Sequence, residues 1–128
     1  MKKEIIDIKE ILPLNAPISH VIKAGYFVFT AGQIPVDLKT GEVIQGTISD
    51  KAHATLKNLK LVLESAGVSL DSVIKVTVFI SNLDNVGIFN DIYRQYFKNN
   101  FPVRSCVEVS KLAYNVEFEV EAVAIIKN

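Results

Sequence analysis

The chain has 128 residues, 49% hydrophobic and 22% charged, which excludes a disordered polymer and leaves a core worth building: a chain of this size buries roughly two-thirds of its unfolded surface. Lys and Arg number 14 and Asp and Glu number 14, so no net field draws nucleic acid or an anionic membrane to the whole surface. The length fits a single domain over residues 1–128, and one cysteine, Cys106, rules out an intrachain disulfide and suits a reducing cytoplasm.

Met-Lys-Lys at the start is followed by Glu4, Asp7, Lys9 and Glu10, which break any signal-peptide core. Apolar runs elsewhere fall far short of a membrane span. Residues 4–11 alternate loosely, as a strand would. Leu12 to Pro17 is a proline-punctuated loop. His20–Lys23 and Tyr26–Thr30, joined at Ala24-Gly25, form a hairpin signal, and Asp37 to Gly41 is a turn cluster.

Thr47-Ile-Ser-Asp50 has the spacing of a capping box, with Ser49 as the alternative cap. Ala52, Leu56, Leu59, Leu63 and Ala66 then recur at intervals of four and three, the stripe of an amphipathic helix ended by Gly67. Val73–Ile80 reads as a strand. Asn82 or Asp84 caps a second helix with the stripe Val86, Phe89, Tyr93, Tyr96 and Phe97, and Pro102 lies beyond its end. Strands follow at Val103–Val109 and Val116–Ile126, joined around Lys111 to Asn115. The order β-β-β, α, β, α, β-β predicts an α+β fold of about six strands. Two helices cannot cover both faces of such a sheet, so an apolar face is left for a partner subunit.

Arg104, Cys106 and Glu108 share one face of their strand, and Glu117, Glu119 and Glu121 share one face of the next. Like charges in a row repel, and an arginine across a hairpin would relieve them. With the turn centred near residues 112–113, position 104 lies opposite 121 and 106 opposite 119. That register places Arg104 with the glutamates; a one-residue slip reverses it. A guanidinium so fixed recognises a carboxylate and a nearby Glu moves protons. The plainer readings are a surface arginine in an ion pair and a solvated strand face. Cys106 reads as a small buried apolar residue. His20 and His53, far apart in sequence, offer no metal set, and His53 reads as solvated on its helix. No Walker loop or dinucleotide fingerprint is present, so no cofactor is expected.

Phe29-Thr-Ala-Gly-Gln-Ile-Pro35, Lys39-Thr-Gly-Glu42, Leu56-Lys-Asn-Leu59, Val62 to Gly67, Val73 to Phe79, and Pro102-Val-Arg-Ser-Cys-Val-Glu-Val109 with Glu119-Val-Glu-Ala122 resemble the Rid (YjgF) family of reactive-intermediate deaminases over about residues 16–125. The resemblance implies a chorismate-mutase-like fold with two helices on one sheet face, and a homotrimer whose sheets close into a barrel with clefts between subunits. It implies hydrolysis of 2-imino acids, in equilibrium with enamines, to 2-keto acids and ammonia, without metal or cofactor. By similarity Arg104 clamps the substrate carboxylate, helped by the Cys106 backbone N–H. Glu119 matches the glutamate that positions or activates water, Asn90 a pocket asparagine, and Gly32 lines the pocket with backbone. Ile18 and Ala31 stand where the family has a tyrosine and a serine, so the pocket is expected to be more apolar and to prefer bulkier imines. Each lost neutral hydrogen bond is worth about 0.5–1.5 kcal/mol, against roughly 1.5–3 for the charge-assisted ones kept by Arg104 and Glu119.

Two alternatives stand beside this. Some relatives carry the label of endoribonuclease or translation inhibitor, but zero net charge and the lack of aromatic–basic interleaving argue against nucleic acid. The other is a non-catalytic module that binds a small carboxylate.

Overall fold

The computed structural model describes residues 2–127. Six strands, β1 (Lys3–Ile5), β2 (Val21–Ala24), β3 (Phe27–Thr30), β4 (Val73–Ile80), β5 (Val103–Glu108) and β6 (Phe118–Ile125), form one mixed sheet ordered β1-β2-β3-β6-β4-β5. Two helices, α1 (Ile48–Ser65) and α2 (Val86–Tyr96), pack on one face of it. The α+β expectation holds.

The local signals act where the sequence puts them. Thr47 caps α1: its hydroxyl accepts from the Asp50 N–H at 3.1 Å, and the Asp50 carboxylate accepts from the Thr47 N–H at 3.0 Å. This reciprocal pair satisfies two N–H groups that the first helical turn leaves without partners. Ala52, Leu56, Leu59 and Leu63 are buried, and Gly67 takes φ +81° beyond the helix end. Of the two caps considered for the second helix, Asn82 acts, accepting from the Asp84 N–H at 2.9 Å to start a short 3-10 turn that leads into α2. Phe97 follows α2 as its C-terminal cap, and its ring is buried.

The core lies between the helices and one sheet face, where Val28, Val76, Val78, Ile80, Phe118, Val120 and Ala124 are fully buried. Phe89 of α2 meets Phe118 of β6 with ring centroids 5.2 Å apart. The opposite face is bare of helix. Phe27, Phe29, Val103, Val107 and Ile125 stand there 37% to 68% exposed, an apolar surface larger than scattered single residues would make.

Three expectations are corrected. Residues 4–11 do not all form a strand: β1 is Lys3–Ile5, because its partner β2 is only four residues long and offers no further ladder. The last two strands are not a hairpin. The connection from β4 through α2 returns β5 parallel to β4, while β6 runs antiparallel on the other side of β4. Tyr114 and Asn115, both at positive φ, lie in the link that makes this crossing. Arg104 therefore pairs with Val76 and Glu119 with Phe79. Neighbours on β4 alternate faces, so Arg104 and Cys106 lie on the helix face and Glu119 and Glu121 on the bare one. Finally, His53 is half-buried, its Nδ1 3.3 Å from the Tyr96 hydroxyl, instead of solvated.

Candidate active site

Two separate clusters carry the candidate residues. The first is built on α2 and the edge strand β5. Asn90 and Tyr93 are three residues apart and so share a helix face, which meets Arg104. The Arg104 Nη2 donates to Asn90 Oδ1 at 2.7 Å. Its guanidinium carbon lies 4.7 Å from the Tyr93 ring centroid, and that ring stacks on Phe97 at 4.4 Å. One hydrogen bond and one aromatic face thus set the plane of the guanidinium. Its other N–H donors take no partner among the described residues, and the group borders a cleft of about 230 Å³ with Arg94, Phe101 and Pro102.

Burial dominates the acidity of the neighbours. The Tyr93 phenol is pushed up to about 12 by burial, against the opposing pull of Arg104, and its hydroxyl is enclosed with no hydrogen-bond partner among the described residues. The half-buried Cys106 thiol is raised by the same cause. It is neutral near pH 7, which leaves it a poor nucleophile.

The second cluster forms where the chain leaves β3. The Thr30 hydroxyl accepts from the Ala122 N–H at 3.0 Å. Gln33 and Val120 exchange backbone hydrogen bonds of 2.8 and 2.9 Å. These contacts lay Ala31-Gly32 along β6 and press Gly32 against the Glu119 carboxylate, so closely that a Cβ on Gly32 would collide with Glu119 Oε2. A side chain at position 32 would displace the Glu119 carboxylate, so glycine serves here for close approach and not for its φ. Burial raises the Glu119 pKa, and the charge of Glu121 raises it further. Behind the segment, the buried Gln33 places Nε2 3.2 Å from His20 Nδ1, and the His20 carbonyl accepts from the Ala31 N–H at 2.8 Å. Burial lowers the His20 pKa, which favours the neutral ring. Ile18 stands 57% exposed at the edge of this cluster, sharing a cleft with Ala31.

The structure thus gathers Arg104, Asn90 and Cys106 in one place and Ile18, Ala31, Gly32 and Glu119 in another. It does not bring Arg104 to the glutamates within the chain, correcting the hairpin register. The row of three carboxylates is also broken: Glu117 precedes β6 and pairs with Lys51 of α1 at 2.9 Å. Glu119 and Glu121 make no ion pair among the described residues. Tyr93 and Gln33 were given no role by the sequence, Tyr93 because it reads as one more apolar-stripe residue. Its spacing of three from Asn90 is the signal that could have placed it beside Arg104. Among the described residues, no three His, Cys, Asp or Glu side chains gather as a metal site would require, and no helix is long and apolar enough to cross a membrane.

Known proteins share this fold. The family model described as endoribonuclease L-PSP matches residues 9–126. A RutC family protein of Pyrococcus horikoshii is 45% identical over 122 residues, covering 95% of this chain and 97% of the relative. TdcF of Escherichia coli strain K12, assigned by its name to the reactive intermediate deaminases, is 38% identical over 126 residues, 96% of this chain and 97% of its own. Among solved structures, a Thermotoga maritima protein assigned by name to the endoribonucleases superposes with TM-score 0.94 at 41% identity over 100% of both chains. E. coli TdcF, solved with bound serine, superposes with TM-score 0.90 at 36% identity over 97% of this chain and 99% of that one. With a fold, a nearly full-length family match and relatives of this similarity in agreement, the chain belongs to the Rid (YjgF) family, whose family model bears the endoribonuclease L-PSP description.

Proposed function

We propose that the protein hydrolyses 2-imino acids and their enamine tautomers to 2-keto acids and ammonia, in clefts formed between subunits of a homotrimer. The observation that carries this reading is the division of the site. A guanidinium with unused donors sits at the sheet edge, and a desolvated carboxylate sits on a bare apolar sheet face. A second copy laid against that face brings the edge of one subunit to the Glu119 of another.

The chemistry asks for little more. Arg104 grips the substrate carboxylate by parallel N–H···O bonds, its plane fixed by Asn90 and Tyr93. The carbon of a protonated imine is electrophilic already. Glu119 accepts a proton from water as the water oxygen bonds to that carbon, and the C=N electron pair moves to nitrogen. The same carboxyl then returns the proton to nitrogen, the C–N bond breaks as ammonia leaves, and the hydroxyl oxygen closes to C=O while giving its remaining proton to the Glu119 carboxylate, which passes it to the departing ammonia as ammonium. A raised Glu119 pKa suits a group that must both take and give a proton. We read the chain as one domain acting in the cytoplasm, as its single free cysteine accords with.

Bound serine in TdcF favours a second reading, a module that holds a small carboxylate without turnover. The endoribonuclease names find less support in the site: the half-buried His20 has its Nε2 enclosed, and His53 is engaged by Tyr96. A coupled assay decides. An amino-acid oxidase generates the imine, semicarbazide competes for it, and the protein is expected to divert it to keto acid. Tight keto-acid binding with no diversion would establish the binding module instead.

A further inference from the structure

Gln33 is a polar side chain in an apolar layer, only 2% exposed. Its backbone bridges to Val120. Antiparallel partners share a face, so the Gln33 side chain lies with Val120 on the helix side of the sheet, opposite Glu119. It is thus withheld from any ligand beside that carboxylate. An amide buried this deeply costs free energy unless it is hydrogen-bonded. Its Nε2 donates to the Ala31 carbonyl at 3.4 Å and stands 3.2 Å from His20 Nδ1.

The two partners fix one arrangement. Only the NH₂ end of the amide can serve the Ala31 carbonyl, so His20 Nδ1 accepts and the ring proton sits on Nε2. That Nε2 is enclosed with no partner among the described residues, which leaves Nδ1 as the anchored nitrogen of the ring. The His20 carbonyl in turn accepts from the Ala31 N–H at 2.8 Å. Ala31 is therefore gripped at both backbone ends, its N–H by His20 and its C=O by Gln33. The next residue, Gly32, is in contact with the Glu119 carboxylate. Across from Glu119 and Glu121, β4 presents Phe79 and Thr77, with the Lys75 ammonium 3.5 Å from the Thr77 hydroxyl. Glu121, on the same strand as Glu119, is the neighbouring charge.

We infer that Gln33 is a positioning residue for Glu119: with His20 as its acceptor, it holds the Ala31–Gly32 segment against the carboxylate and so sets how far water is kept from it. The inference rests on the deaminase reading above for what Glu119 does, and on the contacts alone for how it is held.

The test has two readouts, one independent of turnover. Long-range ¹⁵N spectra of the imidazoles should show His20 in the Nε2–H tautomer at neutral pH. In protein labelled with ¹³C at the glutamate carboxyls, the Glu119 resonance, assigned by its loss in Glu119→Gln, follows the titration of that group directly. Gln33→Leu removes the amide and keeps the bulk. The Glu119 midpoint should then fall toward the ordinary carboxylate range, and kcat should drop by up to about 100-fold with KM largely kept. His20→Phe removes the acceptor and should act in the same direction. His20→Asn offers Oδ1 in place of Nδ1 and should restore the wild-type values. This second pair, at a half-buried position, carries the test if Gln33→Leu does not fold. An Nδ1–H tautomer overturns the inference. So does a wild-type Glu119 midpoint in folded Gln33→Leu or His20→Phe, even with a lowered melting temperature, because the amide would then be only structural. If the wild-type protein diverts no imine, the deaminase reading fails, and the carboxyl titration still decides whether Gln33 holds Glu119.

Discussion

Arg104 and Glu119 are held by different means, and their substitutions should fail differently. Arg104 is oriented through its planar fork, by Asn90 on one nitrogen and Tyr93 beneath the plane. Arg104→Lys keeps the charge and loses both constraints; turnover should fall for every carboxylated substrate, and steady-state kinetics across several imines would reveal it. Glu119 is held by desolvation against Gly32. Glu119→Gln should lower kcat by about 10²–10⁴-fold with keto-acid binding largely kept. Its fold should not suffer. Because burial raises the Glu119 pKa in the folded state, the folded protein binds more protons than the unfolded one between the two values, and stability falls as pH rises through that window. Removing the charge removes that loss, so thermal melting at neutral pH should show no decrease. The acid limb of kcat/KM should lie above the ordinary carboxylate range. Glu121→Gln deletes the second cause of the shift and moves the limb down, while burial keeps it raised. Glu117→Gln, by contrast, frees Lys51 and should register in stability without touching that limb.

At the scale of elements, local chemistry was readable and strand partnership was not. The Thr47–Asp50 box and the stripe from Ala52 to Leu63 specify α1 through groups a few residues apart. Thr47→Ala should therefore cost about 0.5–2 kcal/mol in urea unfolding, with kcat unchanged because the cap lies outside both clusters. The face that Arg104 occupies is a different kind of fact. Strand β5 shows the same alternation whether it pairs with β6 in a hairpin or with β4 in parallel, and only the crossover through α2 decides between them. Parity along β4 then sends Arg104 and Glu119 to opposite faces. Motif resemblance named the candidate residues Arg104, Glu119, Asn90 and Gly32. It could not show that one chain separates them, because separation is a property of the sheet order β6-β4-β5. Tyr93 was hidden for a related reason: an aromatic on an apolar stripe announces packing, and its contact with Arg104 appears only when β5 docks beneath α2.

For the whole molecule, the bare face decides the account. Phe27, Phe29, Val103, Val107 and Ile125 expose a hydrocarbon surface beside Glu119, and two helices are too few to cover it. Light scattering at micromolar concentration should report three subunits; a folded monomer would leave Arg104 and Glu119 on opposite faces with no means of meeting. The sharper test uses two inactive variants. Subunits carrying Arg104→Lys and subunits carrying Glu119→Gln are co-expressed in equal amounts and purified together, with mixed and uniform assemblies left unseparated. If a site takes its arginine from one subunit and its glutamate from the next, random mixing restores both native groups in about one site in four of any closed ring. Turnover should then rise from near zero in either parent to about a quarter of the wild-type rate. Mixed assemblies as inactive as their parents would contradict the shared site, since that result requires Arg104 and Glu119 to act within one chain or not together.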